Sequence, residues 1–213
     1  MTRIKLIKNK DALLQVILAV IYFVGIICFS QAKFRDTLLP ASGVVLYLST
    51  LAIALASKNK MKFIVFMSIA FLIGFGAEVI GVNTSYLFGN YVYGVNLGPK
   101  LLNVSIVIGL LWGVLALGAA SMVDQISLFN RWKVFFGAAI MLGVDLIMEP
   151  VAIANQFWSW EGGDVPLYNY VCWFLIAILL QLILRKFKLN EKNKVYNTLL
   201  ILMVVFFGFL NLY

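Results

Sequence analysis

Three acidic side chains, Glu78, Asp145 and Glu149, sit within or at the mouths of long apolar runs in a chain where only 12% of residues are charged. A charge in hydrocarbon costs several kcal/mol unless it is paired or hydrated, so carboxylates placed there mark a functional site. Asp145 and Glu149 are spaced i, i+4 and share one helix face, roughly 6 Å apart at Cβ. Ionised together in a low dielectric they would repel, so the pair is expected to keep a proton. A carboxyl that stays protonated at neutral pH is a usable general acid. No Lys or Arg occurs in the apolar runs, so these acids have no evident cationic partner. The structural alternative is that they bond polar side chains to lock helices, or reach out to water.

The elements that must position these acids follow from composition. Of 213 residues, 63% are hydrophobic, and the mean hydropathy is +0.98. Soluble domains are about half apolar, so this is a polytopic membrane protein. About 20 apolar residues cross a bilayer, and seven such runs are present, at about 12–30, 38–57, 63–80, 101–123, 134–154, 167–184 and 195–213. The expected fold is all-α, a single integral-membrane domain over 1–213 built as a seven-helix bundle. Ser30-Gln31-Ala32 after the first run has the small-x-small look of a signal cleavage site, yet the run is read as a retained span.

The net charge of +8 comes from 17 basic residues. With the N-terminus inside, fourteen fall in cytoplasmic segments, and only Lys33, Arg35 and Lys100 lie outside. That bias predicts an N-in, C-out topology. The basicity is therefore topogenic, with some attraction to anionic lipid, and no nucleic-acid partner is expected. Cys28 and Cys172 lie in apolar runs and read as small hydrophobes. The absence of histidine excludes His-ligated haem, His-carboxylate di-iron sites and His-activated nucleophiles. No cofactor and no metal are expected.

Two connections stand apart from the short basic ones. Residues 81–100 read GVNTSYLFGNYVYGVNLGPK, and residues 155–166 read NQFWSWEGGDVP. Both are rich in aromatics, Asn and Gly, which argues for compact loops folded onto the bundle, although Tyr and Trp also serve as an interfacial belt. Each loop follows a helix with a late Glu and leads through Pro99 or Pro166 to a segment opening with Asn103 or Asn169. This parallel suggests a degenerate tandem repeat with its site between the copies.

An acid in apolar surroundings can protonate an alkene. Aromatic faces stabilise the resulting carbocation by about 0.5–2 kcal/mol each. If a polar residue holds water beside the cation, the product is a tertiary alcohol; if water is excluded, the cation closes into a ring. Asn83, Asn103, Asn155 and Asn169 are the candidate water holders.

The stretch Glu78-Val79-Ile80-Gly81-Val82-Asn83, then Phe88-Gly89-Asn90-Tyr91-Val92-Tyr93, Leu97-Gly98-Pro99-Lys100-Leu101 and Trp112 resembles the membrane-integral carotenoid biosynthesis proteins that include the carotenoid 1′,2′-hydratases. The second half agrees, with Asp145-Leu146-Ile147-Met148-Glu149-Pro150, Phe157-Trp158-Ser159-Trp160, Val165-Pro166, Asn169-Tyr170 and Trp173-Phe174. The resemblance covers roughly residues 60–185. One departure is Thr84-Ser85-Tyr86, where a Gly-containing turn is expected.

The resemblance implies cofactor-free addition of water to the terminal 1,2 (1′,2′) double bond of an acyclic or monocyclic carotenoid dissolved in a bacterial or archaeal cell membrane. It gives Asp145 or Glu149 the role of proton donor. Glu78, with Asn83 or Asn169, would position and deprotonate the water, and Tyr91, Tyr93, Trp158 and Trp160 would line the cation. Two rival readings start from the same residues, a lycopene-cyclase-type ring closure and a carotenoid-binding or transport protein without turnover. A retinal protein or receptor is opposed by the lack of a lysine in residues 195–213 and by the N-in topology.

Overall fold

The computed structural model describes residues 2–127 and 131–212. The helices are α1 (Thr2–Phe29), α2 (Ala32–Leu38), α3 (Ser42–Ala56), α4 (Lys60–Thr84), α5 (Val107–Val123), α6 (Lys133–Ala154), α7 (Leu167–Lys186) and α8 (Lys194–Leu210). A 3₁₀ turn, Leu39–Ala41, joins α2 to α3. Four short strands lie in the two long connections: β1 (Tyr91–Tyr93), β2 (Lys100–Leu101) and β3 (Val104–Ser105) between α4 and α5, and β4 (Trp158–Trp160) between α6 and α7.

Five stretches are long and apolar enough to cross a membrane: Asn9–Phe29, Ala32–Ala56, Lys60–Thr84, Lys133–Ala154 and Leu167–Lys186. Val107–Val123 and Lys194–Leu210 are shorter apolar helices. A helix rises about 1.5 Å per residue, so these two fall a little short of a hydrocarbon layer roughly 30 Å thick. For α5 the shortfall carries little penalty, because its residues are almost all buried by other helices and meet little lipid.

Helix α5 is the central post. It packs against α3, α4, α6, α7 and α8, and small residues let them approach. A Cβ at Gly109 would come within 2.5 Å of the Phe71 ring, and one at Gly113 within 2.6 Å of the Met67 sulfur. The outer helices carry two apolar faces. On α7, Trp173, Ala177, Leu180 and Leu184 point inward while Val171, Leu175, Leu179 and Leu182 are exposed. Apolar residues on both faces at helical spacing suit a lipid-facing bundle.

Several boundaries differ from the sequence reading. Residues 101–106 are not helical: β2 and β3 form an antiparallel hairpin with Leu101 opposite Val104. Leu102 and Asn103 both take positive φ, 51° and 69°, in its two-residue turn. Asn103 therefore does not open the fourth helix. A two-residue hairpin with both turn residues left-handed has no glycine here to announce it. Pro150 cannot donate its backbone N–H, and in sequence it predicts a kink or helix end at Glu149; helix α6 instead continues four residues past Pro150 to Ala154, so Glu149 is not at a helix end. Helix α4 runs on to Thr84 and is closed by Ser85 in the left-handed region at φ 59°, where glycine is the usual residue. Tyr213, the last residue of the seventh predicted run, lies outside the described residues.

The end of the bundle away from the strands is fastened by Asp124, just after α5. Its carboxylate lies 2.8 Å from Arg185 of α7 and 3.2 Å from Lys133 of α6, and accepts from Asn190 at 2.6 Å. Burial works against its charge, but Arg185, Asn190 and Lys133 outweigh it and hold the carboxyl below the usual aspartate range. A lowered folded value stabilises the protein above the unfolded value of about 3.9, and this contribution is lost as pH falls through the folded value. Asp124→Ala leaves Arg185 uncompensated and is expected to cost about 3 kcal/mol. Thermal unfolding in detergent checks this: the variant should melt lower at neutral pH, and its deficit should shrink below about pH 4.

Candidate active site

Glu78 lies one and a half turns before the end of α4, and Asp145 and Glu149 lie one turn apart on α6. They are 3%, 1% and 4% exposed and line one cavity of about 20 Å³. Among the described residues, no Lys or Arg forms an ion pair with any of them. Nor do three His, Cys, Asp or Glu side chains there form a group suited to a metal ion.

The two aromatic loops cover the acids by pairing with each other. β1 and β4 are antiparallel, with Tyr91 opposite Trp160, Val92 opposite Ser159 and Tyr93 opposite Trp158. Side chains alternate along a strand, so Val92 and Ser159 are exposed while the four aromatics are buried on the acid side. Each strand then serves the carboxylate of its own half. Tyr91 and Tyr93 donate to Glu78 Oε2 at 2.6 and 2.8 Å. Trp158 and Trp160 donate to Glu149 Oε1 at 2.7 and 2.5 Å. The aromatics also touch across the strands, with ring centroids 4.9 Å apart for Tyr91–Trp160 and 6.0 Å for Tyr93–Trp158.

The following helices repeat the parallel. Trp112 of α5 and Trp173 of α7 stack at 3.7 Å, and Trp112 Nε1 donates to Glu78 Oε1 at 3.2 Å. Glu78 and Glu149 thus face one cavity from the two halves, with the strand pair between them. Sequence reasoning left Trp112 and Trp173 out of the site. The available signal was a Trp deep in an apolar run, whose N–H needs a partner when buried.

Hydrogen bonding separates the three acids. Glu78 accepts on both oxygens. On Glu149 both indoles converge on Oε1, and no described donor bonds Oε2. Asp145 Oδ2 is buried without a partner among the described residues, as is Nδ2 of Asn169, which is 1% exposed and lines the same cavity. A cavity needs roughly 10–15 Å³ to hold a water, so this one has room for a single water beside those two groups.

Of the sequence-derived residues, Glu78, Asp145, Glu149, Asn169, Tyr91, Tyr93, Trp158 and Trp160 all line this cavity. Asn83 does not. It is exposed at the end of α4, where its amide donates to the carbonyls of Val79 and Leu102 and its oxygen accepts from Asn103. Both asparagines pin the hairpin turn to α4, which leaves neither free to hold water in the cavity. Asn155 does not line the cavity either: its amide donates to the Val151 carbonyl and its backbone carbonyl accepts from Asn96, while its side-chain oxygen is buried without a partner among the described residues.

Comparison with known proteins adds the family. The model of carotenoid biosynthesis proteins matches residues 40–213. The chain belongs to this family. The matched region holds every residue of the acid cavity, whereas α1 and α2 precede it. Among curated proteins, the chain is similar to the bisanhydrobacterioruberin hydratase of Haloarcula japonica, at 35% identity over 121 residues. That similarity covers 51% of this chain and 41% of the hydratase, so the chain spans about two fifths of that relative's length. No solved structure matches the chain.

Gly74, one turn before Glu78, explains how Trp112 reaches its acceptor: a Cβ at this position would lie 2.3 Å from the indole. Gly74→Ala must displace Trp112 from both Glu78 and Trp173. Overpacking of this kind costs about 1–3 kcal/mol. A lower melting temperature and a changed near-UV circular dichroism signal are expected; an unchanged aromatic signal would show that Trp112 is not held there.

Proposed function

We propose that the chain is a carotenoid 1′,2′-hydratase that adds water, without a cofactor, to the terminal double bond of an acyclic or monocyclic carotenoid end group. The observation that carries this reading is the single-water cavity shared by three carboxyl groups under an aromatic roof. In the proposed reaction the alkene lies at the apolar wall of Ile108, Leu111, Met148 and Trp158, leaving the enclosed space to the water; the Asp145 O–H gives its proton to C2 of the terminal alkene, and the alkene's electron pair forms the new C–H bond. Positive charge develops at the tertiary C1, facing Tyr91, Tyr93, Trp158 and Trp160. Water held by Asn169 attacks C1. Its proton leaves to Glu149 Oε2, the oxygen without a donor, and passes one helical turn back to Asp145. The net change is alkene plus water to tertiary alcohol.

The division of roles rests on hydrogen bonding. A carboxylate accepts, and a neutral carboxyl carries its own donor. Glu78, with three donors, is suited to remain an anion that stabilises the cation across the cavity. This moves the water's base from Glu78, the sequence-based choice, to Glu149. Asp145, lacking donors, is suited to carry the proton.

We propose further that the protein spans a bacterial or archaeal cell membrane seven times, N-in and C-out. The charge distribution supports that orientation, and the two short helices complete the count. The sheet and its acids would then lie toward the outer face, and the carotenoid would arrive through the bilayer.

Expression in a lycopene-producing host tests the reaction. The expected product is heavier by one water and carries oxygen from labelled water. An isomer of unchanged mass would mean cyclisation, and retained carotenoid without product would mean a binding protein. General acid catalysis contributes about 10²- to 10⁴-fold, so Asp145→Asn and Glu149→Gln should each lose that much turnover. Wild-type rates in both variants would refute the assignment.

A further inference from the structure

A second cavity, about 110 Å³, adjoins the acid site and is separate from the chemistry described above. Ile108, Leu111, Met148 and Trp158 line both cavities. From this shared wall the groove runs outward between α1, α3 and α8, past Tyr22, Gly25 and Phe206. Its outer walls include Ile21, Phe29, Val45 and Phe207, all half-buried, so it reaches the lipid-facing side of the bundle.

The lining is apolar in a strict sense. Its few polar side-chain groups are already engaged within the protein: Tyr22 OH with Ser49 at 3.4 Å, Ser42 Oγ donating to the Leu39 carbonyl at 2.7 Å, and Trp158 Nε1 donating to Glu149. A polar ligand would lose its hydration and gain no partner there. A linear hydrocarbon loses nothing. A competing trough between α4 and α7, lined by Leu72, Leu175 and neighbours, shares no residue with the acid cavity.

We propose that this groove holds the linear polyene chain next to the reacting end group, entering from the lipid between α1, α3 and α8, and that Gly25 sets its width. The proposal rests on the hydration reading for the identity of the chain but not for its position. Gly25 lies about one turn before the end of α1 with no positive φ to call for glycine, and a Cβ there would sit 3.1 Å from the Phe206 ring. A larger side chain must push Phe206 or fill the groove. Because the family match begins at residue 40, the wall supplied by α1 comes from outside the matched region. The acid cavity thus lies wholly in the matched region, and α1 adds one wall to a groove whose other walls are matched residues.

Photolabelling of the wild-type protein in lipid vesicles tests this directly. The probe is an acyclic isoprenoid hydrocarbon with the dimethyl-alkene end and a diazirine partway along its chain. Label is expected on residues 21–29 of α1 and 203–207 of α8. Gly25→Leu should reduce it about tenfold, as a filled apolar site would. Label confined to residues 72–80 of α4 and 172–176 of α7, spread over all the helices, or absent overturns the proposal. So does a folded Gly25→Leu protein labelled like the wild type; if that variant fails to accumulate, the wild-type map decides alone. Labelling reads only where the chain lies, so a groove that labels as expected in a protein making no alcohol would sink the hydration reading and leave this one standing. The reverse result would do the opposite.

Discussion

Three carboxyl groups share one side of an apolar bundle with no cation paired to them among the described residues, and the rest of the architecture answers that constraint. A buried polar group without a partner costs about 1–3 kcal/mol, and more when charged. For Glu78 and Glu149 the protein meets the demand with neutral donors, two phenols and three indoles, rather than with lysine or arginine, while Asp145 receives none among the described residues. Neutral donors satisfy oxygen atoms without cancelling the field, so negative charge remains available to something positive that forms nearby. A salt bridge would have removed it.

Those donors fix much of the remaining fold. Tyrosines and tryptophans reach the acids only if the two long loops turn back onto the bundle, and the loops do so as one antiparallel strand pair. The pair spans α4 and α6, whose separation is set by α5 between them. The small residues of α5 are therefore part of the site's geometry although none of them touches an acid. The Asp124 cluster does comparable work at the other end, tying α5, α6 and the end of α7 together with charge where water is nearer.

Much of this was legible in the sequence. Acids in apolar runs, aromatic loops directly after them, and the family resemblance named eight of the thirteen residues that line the cavity, leaving out Phe88, Ile108, Leu111, Met148 and Trp173. What could not be read was how hydrogen bonds divide among them. Asn83 looked like a water holder because it lies close to Glu78 in sequence. The hairpin that consumes its amide is formed by Leu102 and Asn103 in left-handed conformations without glycine, which leaves no sequence signal. Pro150 suggested a kink or helix end at Glu149, but α6 runs on through it to Ala154. The groove was invisible because its walls come from five helices, and apolar residues lining a groove read the same as those facing lipid.

Each of the two glutamates is served by aromatic donors from the loop that follows it: Tyr91 and Tyr93 lie 13 and 15 residues after Glu78, and Trp158 and Trp160 lie 9 and 11 residues after Glu149. During synthesis a charged residue entering the bilayer meets its costliest moment before the rest of the protein exists. Here the covering groups emerge almost together with the carboxylate they cover. Each glutamate thus enters with its loop donors close behind it in the chain, and the strand pairing joins the two sets.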